Sequence, residues 1–104
     1  MKFGLKDQVL LKLRKVFNSF RGIEEAIIYG SRALGTFREG SDIDITLKAD
    51  LNFEELIQVE RKLDDLMLPY TIDLSLYQKL SNPELVHHID RVGKQLYVKE
   101  TIPK

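Results

Sequence analysis

Residues 30–45 read GSRALGTFREGSDIDI, and this stretch decides the fold. It follows an apolar run, Ala26-Ile27-Ile28-Tyr29, and closes on Asp42-Ile43-Asp44-Ile45, an alternation of strand type. Successive side chains on a strand point to opposite faces, so Asp42 and Asp44 share a face about 6.6 Å apart. Ile43, Ile45 and Leu47 point the other way, toward a core. Two acids on one face of a buried strand repel each other and resist desolvation. A cation between them relieves both effects, and hard oxygen donors favour Mg²⁺ or Mn²⁺.

The Gly-Ser half supplies complementary chemistry. A glycine directly after a strand permits a tight turn and a close backbone approach to a ligand. Ser31, Arg32 and Ala33 then start a short helix, whose free N–H groups favour a phosphate. Gly-Ser turns and D-x-D strands are each common. Their combination, ten residues apart, is specific and points to nucleotidyl transfer.

The stretch resembles the signature of the DNA polymerase β nucleotidyltransferase superfamily: Gly-Ser, a spacer of this length, then Asp-x-Asp among apolar residues. More narrowly it is similar to the minimal nucleotidyltransferases of prokaryotes, which are often encoded beside a helical HEPN-type or substrate-binding protein. The resemblance extends over most of the chain, to the closing HHIDRVGKQLYV. It implies an α/β (α+β) fold of polymerase-β type, a small mixed sheet with helices on one face and the acids on the other. It further implies transfer of a nucleoside monophosphate from an NTP, AMP from ATP being the favoured version, with two Mg²⁺ ions assisting. In some relatives the acceptor is a tyrosine of a HEPN-type toxin, which makes the enzyme an antitoxin. The chain departs from the family at Leu34, where a second arginine is often found.

Working outward, Leu5, Val9, Leu13, Val16, Phe17 and Phe20 recur at helical spacing, predicting an amphipathic helix that Gly22 terminates. Residues 23–29 and 43–48 read as the first two strands. Asn52 with Glu55 makes a capping-box-like start for a second long helix, whose near face is Phe53, Leu56, Ile57, Glu60, Leu63, Asp64 and Met67. Pro69 stops it. Asn82 and Pro83 open a last helix that Gly93 ends, and Leu96-Tyr97-Val98 reads as a final strand or an extended tail.

Between the two later helices, residues 70–76 alternate as a third strand. Tyr70, Ile72, Leu74 and Leu76 form one set and Thr71, Asp73 and Ser75 the other. An acid central to such a strand is costly unless paired or metal-bound. If this strand lies in register beside the second, Asp73 completes a trio with Asp42 and Asp44. In the family resembled, the third metal-site carboxylate lies on a later strand, and Asp73 is the well-placed candidate. The candidate catalytic and metal-binding set is therefore Asp42, Asp44 and Asp73, with Asp73 also the choice for general base. The candidate nucleotide contacts are Gly30, Ser31, Arg32, Arg38 and Ser41. His87 and His88 lack a partner at metal-ligand spacing and read as structural or interfacial.

At 104 residues the chain fits one domain, 1–104. Sixteen basic and sixteen acidic side chains cancel, which disfavours a general nucleic-acid or membrane binder. There is no cysteine, hence no disulfide or thiolate site. No apolar signal core or membrane-length run is present, so the cytoplasm is the default location. Larger polymerase-β-like enzymes carry a further domain for the acceptor, so a helical partner is expected to complete the groove. The competing reading is a non-catalytic antitoxin or scaffold that acts by binding its partner. A polymerase or tRNA-type enzyme is disfavoured by the missing acceptor domain and the balanced charge.

Overall fold

The structure is a computed structural model and describes residues 1–100. Its elements run α1 (Asp7–Asn18), β1 (Ile23–Tyr29), α2 (Ser31–Leu34), β2 (Ile43–Ala49), α3 (Phe53–Asp65), β3 (Ile72–Leu76), a 3₁₀ turn (Tyr77–Lys79), α4 (Pro83–Val92) and β4 (Lys94–Val98). The strands form one mixed sheet in the order β3-β2-β1-β4. β1 pairs antiparallel with β2 and β4, while β2 and β3 are parallel. A parallel pair requires a crossover, and α3 supplies it. The α+β expectation holds, and the alternative left open for residues 96–98 resolves in favour of a strand.

Apolar alternation places the core between the sheet and two helices. Ala26 and Ile28 of β1, and Ile43, Ile45 and Leu47 of β2, meet Leu10, Leu13, Val16 and Phe17 of α1 and Val59 and Leu63 of α3. Burying each of the larger side chains contributes about 1.5–3 kcal/mol, so α1 and α3 are fixed to this face by packing. α3 starts on a complete capping box: Glu55 N–H donates to Asn52 Oδ1 at 2.8 Å, and Asn52 N–H donates to Glu55 Oε1 at 3.1 Å. The expectation of helices on one face alone is corrected by α4, which lies on the opposite face together with the acids, its His88 bonded to Gly30. A Cβ at Gly93 would meet the Ile27 side chain, and Ile27 shares its face with Tyr29 and, through the cross-strand pairs, with Thr46 and Asp44.

Several boundaries differ from the sequence reading. Leu5 is not in the first helix; it is buried in a small bridge with Lys2, and α1 ends four residues before Gly22. Gly22 serves a different purpose: Asp50 N–H donates to its carbonyl at 2.7 Å, and a Cβ there would run into Asp50 O. On α3 the expected near face is corrected. Phe53 is 72% exposed and Met67 86% exposed. Phe53 is the first helical residue and points outward, and Met67 lies past the helix end at φ 54°. The stripe facing the core is Leu56, Val59, Leu63 and Leu66, spaced three and four apart. Residues 70 and 71 precede β3 rather than belonging to it.

Candidate active site

The sheet register brings the acids together. Asp44 on β2 pairs directly with Asp73 on the parallel β3, and neighbouring strands stand about 4.8 Å apart. Asp42 lies one residue before β2, and alternation puts it on the same side. Asp42 and Asp73 are exposed, and Asp44 is half-buried. Burial pushes the Asp44 carboxyl up from its ordinary pKa, and the charges of Asp73 and Asp42 push it further. Among the described residues none of the three carboxylates is ion-paired. Nor are any three acidic or imidazole side chains there closed around a single point. The trio is thus a splayed set of like-charged oxygen donors at strand spacing. Hard oxygen donors with uncompensated charge suit a divalent cation of the Mg²⁺ type.

The turn after β1 is built around these acids. Gly30 adopts φ 72° and ψ −152°, a conformation open to glycine, and a Cβ there would collide with Asp44 Oδ2. The Asp44 carboxylate therefore lies against a bare Cα. Leu34 N–H donates to Gly30 O at 3.1 Å, which starts the single turn of α2. By helix geometry the amides of residues 31–33 have no partner within it. Ser31 is half-buried at that end.

Three candidate nucleotide contacts already have partners within the protein. Arg32 is only 3% exposed. Its Nε and Nη2 donate to Ser41 O at 3.1 and 2.7 Å, its Nη1 donates to Phe3 O at 2.8 Å, and the guanidinium lies between the rings of Tyr70 and Phe37, 4.8 and 5.3 Å from their centroids. The group thus acts as a clamp between the N-terminal segment and the loop before β2. Ser41 is the other half of that clamp: its carbonyl takes the Arg32 bonds, and its Oγ accepts from Arg38 N–H at 2.8 Å. Together they fix the residue that leads into Asp42. Gly30 offers space but not its amide, because Gly30 N–H donates to His88 Nε2 at 3.1 Å. The Arg38 side chain is exposed beside this loop.

Two residues join the site that sequence reasoning left outside it. Tyr29 is buried next to Gly30, opposite Asp44 in the β1–β2 ladder. Burial raises its pKa; hydrogen bonding with Ser75 opposes this, and the Asp73 and Asp44 charges add to it. Its side chain therefore shares the sheet face of Asp44. His88 arrives from α4 and packs edge-on against Tyr29 with centroids 6.2 Å apart. Adjacent helical positions point about 100° apart, so only one of His87 and His88 can face the sheet. His87 itself is exposed.

The family described as "Polymerase beta, Nucleotidyltransferase" matches residues 11–102. No curated protein matches the chain. Among solved structures, a crystal structure of a toxin-antitoxin with AMP-PNP superposes with a TM-score of 0.67 at 24% identity, over 92% of this chain and 76% of that one. A tri-AMPylated Shewanella oneidensis HEPN toxin in complex with MNT antitoxin gives a TM-score of 0.67 at 20% identity, over 91% and 74% of the two chains. A putative nucleotidyltransferase from Sulfolobus solfataricus gives 0.53 at 21% identity, over 92% of both. At these identities the likeness establishes a shared fold.

Proposed function

The chain belongs to the polymerase β nucleotidyltransferase family, and from that premise we propose that it moves AMP from ATP to an acceptor hydroxyl on a helical HEPN-type partner. Residues 1–104 act in this reading as a single minimal nucleotidyltransferase domain, the cytoplasmic antitoxin of a two-component pair. The observation that carries it is the in-register Asp44–Asp73 pair with Asp42 on the same face, immediately beside the Gly30-Ser31 turn. Support for the partner and the nucleotide comes from the AMP-PNP-containing toxin-antitoxin and the AMPylated HEPN toxin among its structural neighbours. Among the described residues no helix is long and apolar enough to cross a membrane.

Asp42, Asp44 and Asp73 would hold the divalent cation. When bound it would neutralise triphosphate charge and favour the ionised form of an attacking hydroxyl. The chain's own residues do the rest. Asp73, exposed at the rim of the sheet, would take the acceptor's proton. Ser31 and the amides of residues 31–33, without partners inside the short helix, would receive the phosphates, and exposed Arg38 would add a positive charge there. The Arg32–Ser41 clamp sets the entry of β2, and so the position of Asp42.

The second reading, a binder that acts by contact alone, leaves three mutually repelling carboxylates without a purpose. Incubation with Mg²⁺, labelled ATP and the helical protein encoded beside the chain separates the two. Label should pass to the partner with the wild type and fail to pass with Asp44→Asn. Wild-type transfer by Asp44→Asn would sink the mechanism.

A further inference from the structure

We propose that His88 is a positioning residue: its Nε2 accepts from the Gly30 amide, holds the Gly30 turn and thereby sets where the Asp44 carboxylate stands. Three contacts meet at this ring. Gly30 N–H donates to Nε2 at 3.1 Å, a bond that spans 58 residues of sequence and ties α4 to the turn after β1. Gly30 is in direct steric register with Asp44 Oδ2, because even a methyl group on its Cα would displace that oxygen. The ring also stands edge-on to Tyr29, the cross-strand partner of Asp44. A shift of His88 is therefore felt by the residue before the turn, by the turn, and through the turn by the carboxylate.

The chemistry needed from His88 is narrow. To accept from an amide, Nε2 must keep its lone pair, which places the ring proton on Nδ1. Lysine or arginine at this position has no acceptor to offer. Glutamine does: its Oε1 reaches about as far as Nε2. Phenylalanine is the converse, since it preserves the edge-on packing against Tyr29 and lacks the acceptor. A histidine that merely fills a half-buried gap would be replaced better by phenylalanine than by glutamine. A histidine that holds the turn would be replaced better by glutamine.

His88→Gln and His88→Phe are compared with wild type by three measurements. Hydrogen exchange of the Gly30 amide should be slow in wild type and His88→Gln and fast in His88→Phe. Mn²⁺ titrated alone, followed by the paramagnetic signal of the free ion, should bind about 10–100-fold more weakly to His88→Phe, with His88→Gln close to wild type. In the transfer assay, kcat of His88→Phe should fall by a similar factor while KM for ATP is held, and His88→Gln should recover most of the loss. The transfer measurement rests on the proposed activity and the Mn²⁺ titration on the proposed metal site, while the Gly30 exchange rests on neither. If wild type transfers nothing yet the first two orders hold, the nucleotidyl-transfer reading falls and the His88 assignment stands. Fast exchange of Gly30 in wild type, or His88→Phe outperforming His88→Gln in exchange or Mn²⁺ binding, overturns the assignment.

Discussion

Replacing Asp44 by asparagine should stabilise the metal-free protein while removing its response to Mg²⁺-ATP. Asp44 faces Asp73 at strand spacing, and two like charges about 4.8 Å apart repel by roughly 3 kcal/mol at an effective dielectric of 20 and by under 1 kcal/mol in water. Because Asp73 is exposed, the lower part of that range applies, about 1–2 kcal/mol, which corresponds to about 4–8 °C in melting temperature for a domain of this size. The pH dependence has a definite sign. Burial and the neighbouring charges raise the folded Asp44 pKa, so its contribution favours the fold below its unfolded pKa and is lost as pH rises through the folded value. The advantage of Asp44→Asn should therefore be largest near neutrality and vanish below the ordinary carboxylate range. Thermal melts of both proteins across pH, with and without Mg²⁺-ATP, measure this. A variant that melts several degrees lower when metal-free, yet keeps the full ligand shift, would refute the reasoning.

Other consequences follow from the neighbouring contacts. Arg32→Ala should lose about 2–5 kcal/mol in urea melts, because Ser41 O and Phe3 O lose their donors inside the protein, and Arg32→Lys should not restore it. Arg38→Ala should stay within about 0.5 kcal/mol of wild type in the same melts and slow transfer instead. Gly30→Ala should be destabilised by about 1–2 kcal/mol from its positive φ alone, and the displaced Asp44 carboxylate should abolish transfer even in the folded fraction. Asn52→Ala, which breaks the α3 capping box far from the acids, should cost about 1 kcal/mol and leave the transfer rate per folded molecule unchanged.

What could be read from the sequence was set by period and spacing. The strand at Ile23–Tyr29, the Asn52 cap and the Asn82-Pro83 start are local signals, and each stands where the pattern put it. The Asp44–Asp73 pairing was conditional on register, and the parallel ladder supplies that register. Sequence alone misjudged the face of α3 because Phe53 and Met67 are apolar yet sit at the helix ends, where orientation is set by the turn rather than by the stripe. Arg32 illustrates a deeper limit. An arginine beside a phosphate-type turn reads as a ligand contact, and the local pattern does not reveal that Phe3 and Tyr70 arrive from distant segments to join Phe37 and Ser41 of the following loop around it. His88 was hidden for the same reason: its partner Gly30 is far away in the chain and is met only when α4 folds over β1.

The most direct test is the intact mass of the helical partner, recorded before and after incubation with this protein and Mg²⁺-ATP. The partner's mass should rise by whole adenylate units with the wild type and stay fixed with Asp44→Asn, although both proteins bind the partner. A stable complex whose partner gains no mass in the presence of wild-type protein would contradict nucleotidyl transfer and leave the acidic face of the sheet with a binding role alone.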